Sequence, residues 1–245
     1  MRVRTLAIVG IAAYAVFLVA MLPASMVARW IAMPGVLELA DARGTLWRGS
    51  ARALAGSAQL DELRWRFEPA RLAAGRLAFT VDGRGSGLEA HGRIARGFGA
   101  LEVRDLTVRG DAAALAAFAP LAAGWQPDGR LALDAPAILW DGREVRGTAR
   151  LEWHDASIAL SSVRPLGSYR AEARADGGPV KIAVTTLDGP LRISGNGTFT
   201  PPGALAFTGD ARALPAAQAA LDPLLNLMGA RRPDGARTLE IRTLR

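Results

Sequence analysis

From about Val36 onward the chain alternates apolar with polar residues, and a period of two is satisfied only by strands that cover one face and wet the other. Leu63, Trp65 and Phe67 interleave with Arg64, Arg66 and Glu68. Leu77, Phe79 and Val81 repeat the pattern, as do Leu151 and Trp153, and then Val180, Ile182 and Val184. Asp-Gly pairs begin at Asp82, Asp128, Asp141, Asp176, Asp188 and Asp234, and Asn196-Gly197 adds another step that tolerates a left-handed backbone. Such frequent turn chemistry predicts antiparallel neighbours. Between Val103 and Leu106 the apolar phase slips from odd to even positions, which either a β-bulge near Arg104-Asp105 or a break between two strands explains.

Two segments leave the alternation. Asp111 is placed to cap a helix over Ala112 to Phe118, ahead of Pro120, and Pro215 suits the first turn of a second helix that runs towards Gly229. Leu214, Leu221, Leu225 and Met228 fall on one face of that second helix, and Pro223 within it predicts a kink or two short helices. Residues 97–133 run from a Gly-rich turn through a strand, an Ala-rich helix and Pro127-Asp128-Gly129 to a further strand, and residues 195–241 follow the same order. This reads as an internal duplication with halves of about 36–135 and 136–245. A composition rich in Ala, Gly and Leu produces such matches as well, so both explanations stay open.

The first thirty residues obey a different rule. Leu6 to Val27 carries no charge, and at about 1.5 Å per residue it matches the ~30 Å hydrocarbon core of a bilayer. Leu6, Ile8, Ile11, Tyr14, Phe17, Leu18 and Leu22 would face lipid, and Trp30, next to Arg29, would settle at the interface. Arg2 and Arg4 precede the run, so residues 1–5 are expected in the cytoplasm and residues 28–245 in the periplasm. A cleaved signal peptide is the rival; Leu22-Pro23-Ala24 lacks the Ala-x-Ala form, and the run exceeds a usual signal core. A buried core helix would need a polar face that this segment lacks.

The expected fold is therefore mainly β: one N-terminal transmembrane helix, then an antiparallel, curved sheet domain with two short helices, for which internal duplication stays one of two open readings. Trp47, Leu63, Trp65, Phe67, Phe79, Leu151, Trp153, Ile182 and Phe207 are its expected buried or groove-lining residues. Alternation reports one covered face and not what covers it, so a groove, a sandwich and a partly open barrel all remain compatible.

Chemistry is sparse. With no cysteine there is neither a disulfide nor a thiolate metal site, and His91 and His154 lack any partner motif. No metal, cofactor or enzymatic activity is expected. Gly83-Arg84-Gly85-Ser86-Gly87 has Arg where a nucleophile elbow needs Gly, and reads as a turn. The net charge of +7 would suit an anionic partner if the cations were gathered, but along the chain arginines recur singly between acids, and Lys181 is the lone lysine. Nucleic acid is not an expected partner.

Several phrases resemble the type II secretion system protein N family. They are Gly44-Thr45-Leu46-Trp47-Arg48-Gly49-Ser50-Ala51, Leu63-Arg64-Trp65 followed by Phe67-Glu68-Pro69, and Pro165-Leu166-Gly167-Ser168-Tyr169-Arg170. Thr186-Leu187-Asp188-Gly189-Pro190-Leu191 and Gly195-Asn196-Gly197 continue the series, which closes with Leu224-Leu225, Gly229 and Asp234-Gly235. The resemblance implies a single-pass inner-membrane accessory component of the apparatus that exports folded periplasmic proteins, with other inner-membrane components as partners and no catalytic residues. A repeated sheet behind an anchor is also similar to AsmA-like envelope proteins, which implies, as the alternative, lipid bound in an apolar β groove.

Overall fold

The computed structural model describes residues 14, 17, 21–26, 38–55, 58–85, 87–116, 124–200, 203–233 and 235–243. Thirteen strands form a single curved antiparallel sheet in which spatial order equals chain order. They are β1 (Glu38–Gly44), β2 (Arg48–Ala55), β3 (Ala58–Phe67), β4 (Leu77–Gly85), β5 (Leu88–Arg96), β6 (Leu101–Asp111) and β7 (Asp128–Trp140). After these come β8 (Val145–Ser157), β9 (Gly167–Asp176), β10 (Val180–Asp188), β11 (Leu191–Thr200), β12 (Ala204–Ala213) and β13 (Arg237–Arg242). No second sheet lies over either face among the described residues.

The alternation lays out two continuous faces. One register row runs from Leu63 through Val108, Leu133, Leu151 and Val184 to Leu239, with Gly83, Ala90, Ala171, Gly195 and Gly209 between them. The opposite face carries Arg66, Thr80, Arg93, Arg104, Thr148, Arg174, Lys181 and Thr198 in one such row. Alternation thus survives eleven consecutive strands, β3 to β13, without inverting.

Curvature has identifiable causes. Asp41, Asp105 and Asp155 adopt positive φ (53°, 50° and 52°), and the register slips beside each of them. Aspartate tolerates this region better than most residues, and a bulge bends its strand. Each bulge carboxylate is met by an arginine of the adjacent strand: Arg52 at 3.2 Å, Arg93, and Arg130 at 3.1 Å. The slip between Val103 and Leu106 is therefore a bulge, not a strand break.

Turn chemistry is divided. Gly142, Gly177 and Gly189, each after an Asp, take positive φ in hairpin connections. Asp141 accepts backbone N–H bonds from Glu144 (2.8 Å) and Arg143 (3.0 Å), and these hold its carboxyl below the ordinary value. Asp82-Gly83 and Asn196-Gly197, in contrast, lie inside β4 and β11. Gly197 serves packing: the ring of Phe207 lies where a side chain at this position would go.

Among the described residues two α-helices interrupt the strands, α1 (Ala112–Ala116) after β6 and α2 (Gln218–Met228) after β12. A 3-10 turn at Pro215–Ala217 leads into α2, which continues through Pro223 as one helix. A further 3-10 helix, Pro69–Ala74, has no precedent in the alternation. Leu221, Leu224 and Leu225 of α2 pack on Ile158, Leu166, Leu191, Ala211 and Ala213, with Trp153, Ile193, Met228 and Leu239 around them. Leu191 and Leu221 are the largest fully buried side chains among the described residues. Tyr169 joins this end by donating its hydroxyl to the Leu191 carbonyl at 3.0 Å, and burial pushes its pKa up.

No helix among the described residues is long and apolar enough to cross a membrane. Leu6, Ile8, Ile11, Leu18 and Trp30 of the expected anchor lie outside the described residues. Tyr14 and Phe17 are helical and exposed, and the Met21 N–H bonds the Phe17 carbonyl at 3.0 Å. The chain then leaves the helix: Pro23 bridges Thr45, and the Leu46 N–H donates to the Leu22 carbonyl at 2.8 Å.

Candidate functional site

The first four strands hold an aromatic cluster on one face and an arginine cluster on the other. Trp65 donates its indole N–H to the carbonyls of Thr45 (3.2 Å) and Leu46 (3.1 Å), which ties β3 to the β1–β2 turn. Gly49, opposite Trp65 in register, leaves room for the indole to lie across β2. Trp47 meets Phe67 edge-on at 4.7 Å between ring centres, and Phe67 meets Phe79 at 5.5 Å. Edge contacts of this kind add roughly 0.5–1.5 kcal/mol beyond burial.

On the reverse face lies a hollow of about 660 Å³, lined by Arg43, Arg48, Arg64, Arg66 and Arg84 together with Glu62 and Asp82. Both acids are engaged, Glu62 with Arg64 at 2.6 Å and Asp82 with His91 at 2.7 Å. Arg48 stands directly opposite Arg66 in register, a like-charge pairing that costs stability. The cations are thus gathered after all. Linear spacing conceals this, because strand pairing places positions 48 and 66 side by side and the alternation sends 64, 66 and 84 to one face. Counting arginines by strand parity, not by runs, would have found them.

A second hollow of about 770 Å³ opens on the same charged face further along the sheet, lined in part by Asp134, Arg150, Glu172, Arg174 and Lys181. Here opposite charges meet, with Arg150 at 3.2 Å from Glu172. The other expected residues are on the apolar face. Trp153 donates to the Asp128 carbonyl at 3.0 Å and borders the core around α2. Ile182 faces Gly197, which faces Phe207, and all three are half-buried. Trp47, Leu63, Trp65, Phe67 and Phe79 are half-buried as well, and Leu151 is 37% exposed.

His154 contacts Glu152 at 3.1 Å, and no hydroxyl hydrogen-bonds either imidazole among the described residues. No group of three or more His, Asp or Glu side chains is placed to hold a metal ion among them either. Glu152 has its carboxyl held below the ordinary 4.5, first by the hydrogen bond from Arg170 (2.8 Å). A lowered carboxyl stabilises the fold above its unfolded pKa, and the contribution disappears as pH falls through the folded value. Arg170→Gln is therefore expected to lower the urea midpoint at pH 7. The deficit should shrink as pH is taken below about 4.5. An equal deficit at pH 7 and pH 3 would mean that Arg170 acts through packing alone.

No solved structure matches this chain. A type II secretion system protein N from Pectobacterium carotovorum subsp. carotovorum is 25% identical over 254 residues, covering 98% of this chain and 97% of that relative. The family model for the type II secretion system (T2SS), protein N, matches residues 36–240, a range that takes in β1 through β12, α1, α2 and most of β13. The chain belongs to the type II secretion system protein N family.

Proposed function

We propose that this protein is a non-enzymatic accessory component of the type II secretion system, held in the inner membrane by residues 6–27 with its sheet in the periplasm. There it contacts other inner-membrane components of the apparatus. The family match across the whole sheet carries this reading. A charge-free run behind Arg2 and Arg4 supports the topology, and histidines paired only with single carboxylates support a binding role over a catalytic one. The placement of α1 after β6 and of α2 after β12 supports the duplication, because among the described residues six strands lie before α1 and six more lie between α1 and α2.

The alternative, a lipid-handling groove, has one supporting feature in the half-exposed apolar row. Against it, the two hollows described above, among the described residues, open on the charged face.

Deletion in a strain with an intact secretion operon is expected to lower the amount of exported enzyme in the medium. Crosslinking mass spectrometry in intact cells should link the sheet to another secretion component. Unchanged export together with no secretion component among the crosslinked neighbours would refute the role. A carboxyl-terminal reporter active only in the cytoplasm would refute the topology.

A further inference from the structure

We propose that Arg43, Arg48, Arg66 and Arg84 form a binding site for the phosphate of an anionic phospholipid headgroup, at the end of the sheet that adjoins the anchor. Elsewhere on this face many guanidiniums rest on carboxylates, as Arg93 does on Asp105, Arg104 on Glu102 and Arg170 on Glu152. Among the described residues these four have no ion pair, although they line one hollow of about 660 Å³. The hollow's two acids already bind Arg64 and His91. An excess of positive charge held against its own repulsion in a concave surface is an anion site, and guanidinium forks match phosphate oxygens bidentately.

The source of the anion follows from position. Arg43 and Arg48 flank the turn at Thr45-Leu46, and the Thr45 N–H bonds the Arg48 carbonyl at 2.9 Å. The same turn is joined to the apolar run through the Pro23–Thr45 bridge and the Leu46-to-Leu22 hydrogen bond of 2.8 Å. This step rests on the anchor reading of residues 6–27. With the part of that run before Leu22 in the bilayer, the rim of the hollow is held at the membrane surface, where anionic headgroups attract arginine.

The test uses the full-length chain in detergent, titrated with phosphatidylglycerol or phosphatidylcholine of the same acyl composition and followed by native mass spectrometry. Wild type is expected to prefer phosphatidylglycerol by about tenfold or more. The variant Arg43→Gln/Arg48→Gln/Arg66→Gln/Arg84→Gln should lose that preference, and Arg150→Gln/Arg174→Gln, altered in the second hollow of the same face, should keep it. Equal binding of the two lipids by wild type, or a preference that survives the fourfold change, overturns the site. Displacement of the lipid by equimolar inorganic phosphate, or by a Glu-rich peptide, reassigns the hollow to a free anion or an acidic polypeptide and also overturns it. Alkaline carbonate extraction separates the two ideas. A chain released from membranes yet selective for phosphatidylglycerol sinks the anchor and keeps the site, whereas a retained chain without selectivity does the reverse.

Discussion

Leu221→Ala is expected to lower the unfolding free energy by about 2–5 kcal/mol, the range for emptying a fully enclosed leucine site. Leu221 is wholly buried, and its neighbours Leu166, Leu191 and Leu225 are at most 4% exposed. Eleven residues make α2 too short to hold its helical form alone, so its docking depends on Leu221, Leu224 and Leu225. Loss of one of the three weakens the seat of the whole helix. Leu151→Ala removes the same atoms from the open apolar row, where the side chain is 37% exposed and the neighbours can relax. There the cost should stay below about 1.5 kcal/mol. Urea unfolding of the full-length chain, followed by tryptophan fluorescence, compares the two. Trp153 borders the core cluster and reports on it directly. Equal shifts for the two variants would mean that α2 does not close the end of the sheet.

The contrast between those leucines marks how far the sequence could be read. Period-two alternation is a local signal, so the odd positions of Leu63, Trp65 and Phe67 announced a covered face before any partner strand was known. Frequent turn residues announced antiparallel neighbours for the same reason. Whether the face would be closed by a second sheet is a non-local matter, and residue order within a strand carries no record of it. The Asp-Gly rule was reliable where both residues served the turn, as at Asp141-Gly142. It misread Asn196-Gly197, because glycine is also chosen where an aromatic ring from the next strand needs the space. Asp41 and Asp155 bend their strands without any composition signal, whereas Asp105 betrayed itself through the phase slip. The arginine hollow was invisible for a related reason: its members come from four hairpin-linked strands and meet only after register is fixed.

That dependence on register makes glycine the sharpest probe of the sheet. Gly195→Val is expected to cost about 3 kcal/mol, the upper part of the range for forcing atoms into a packed site. A Cβ at this position would lie 2.6 Å from the Phe207 ring, 2.7 Å from the Gly209 Cα and 2.7 Å from the Thr208 carbonyl oxygen. The ring can rotate away, but the two backbone atoms belong to the paired strand and move only if β11 and β12 separate. Gly178→Ala, in the β9–β10 hairpin with nothing within 4 Å of the new methyl, should change stability by less than about 0.5 kcal/mol. Adding Phe207→Ala to Gly195→Val should recover only the part of the loss that the ring imposes, so the double variant stays below wild type. Hydrogen exchange localises the effect, with amides of β10 to β12 losing protection before those of β3 to β5. Wild-type protection of these amides in Gly195→Val would rule out the pairing of Gly195 with Gly209 and, with it, the register that carries the apolar row across this end of the sheet.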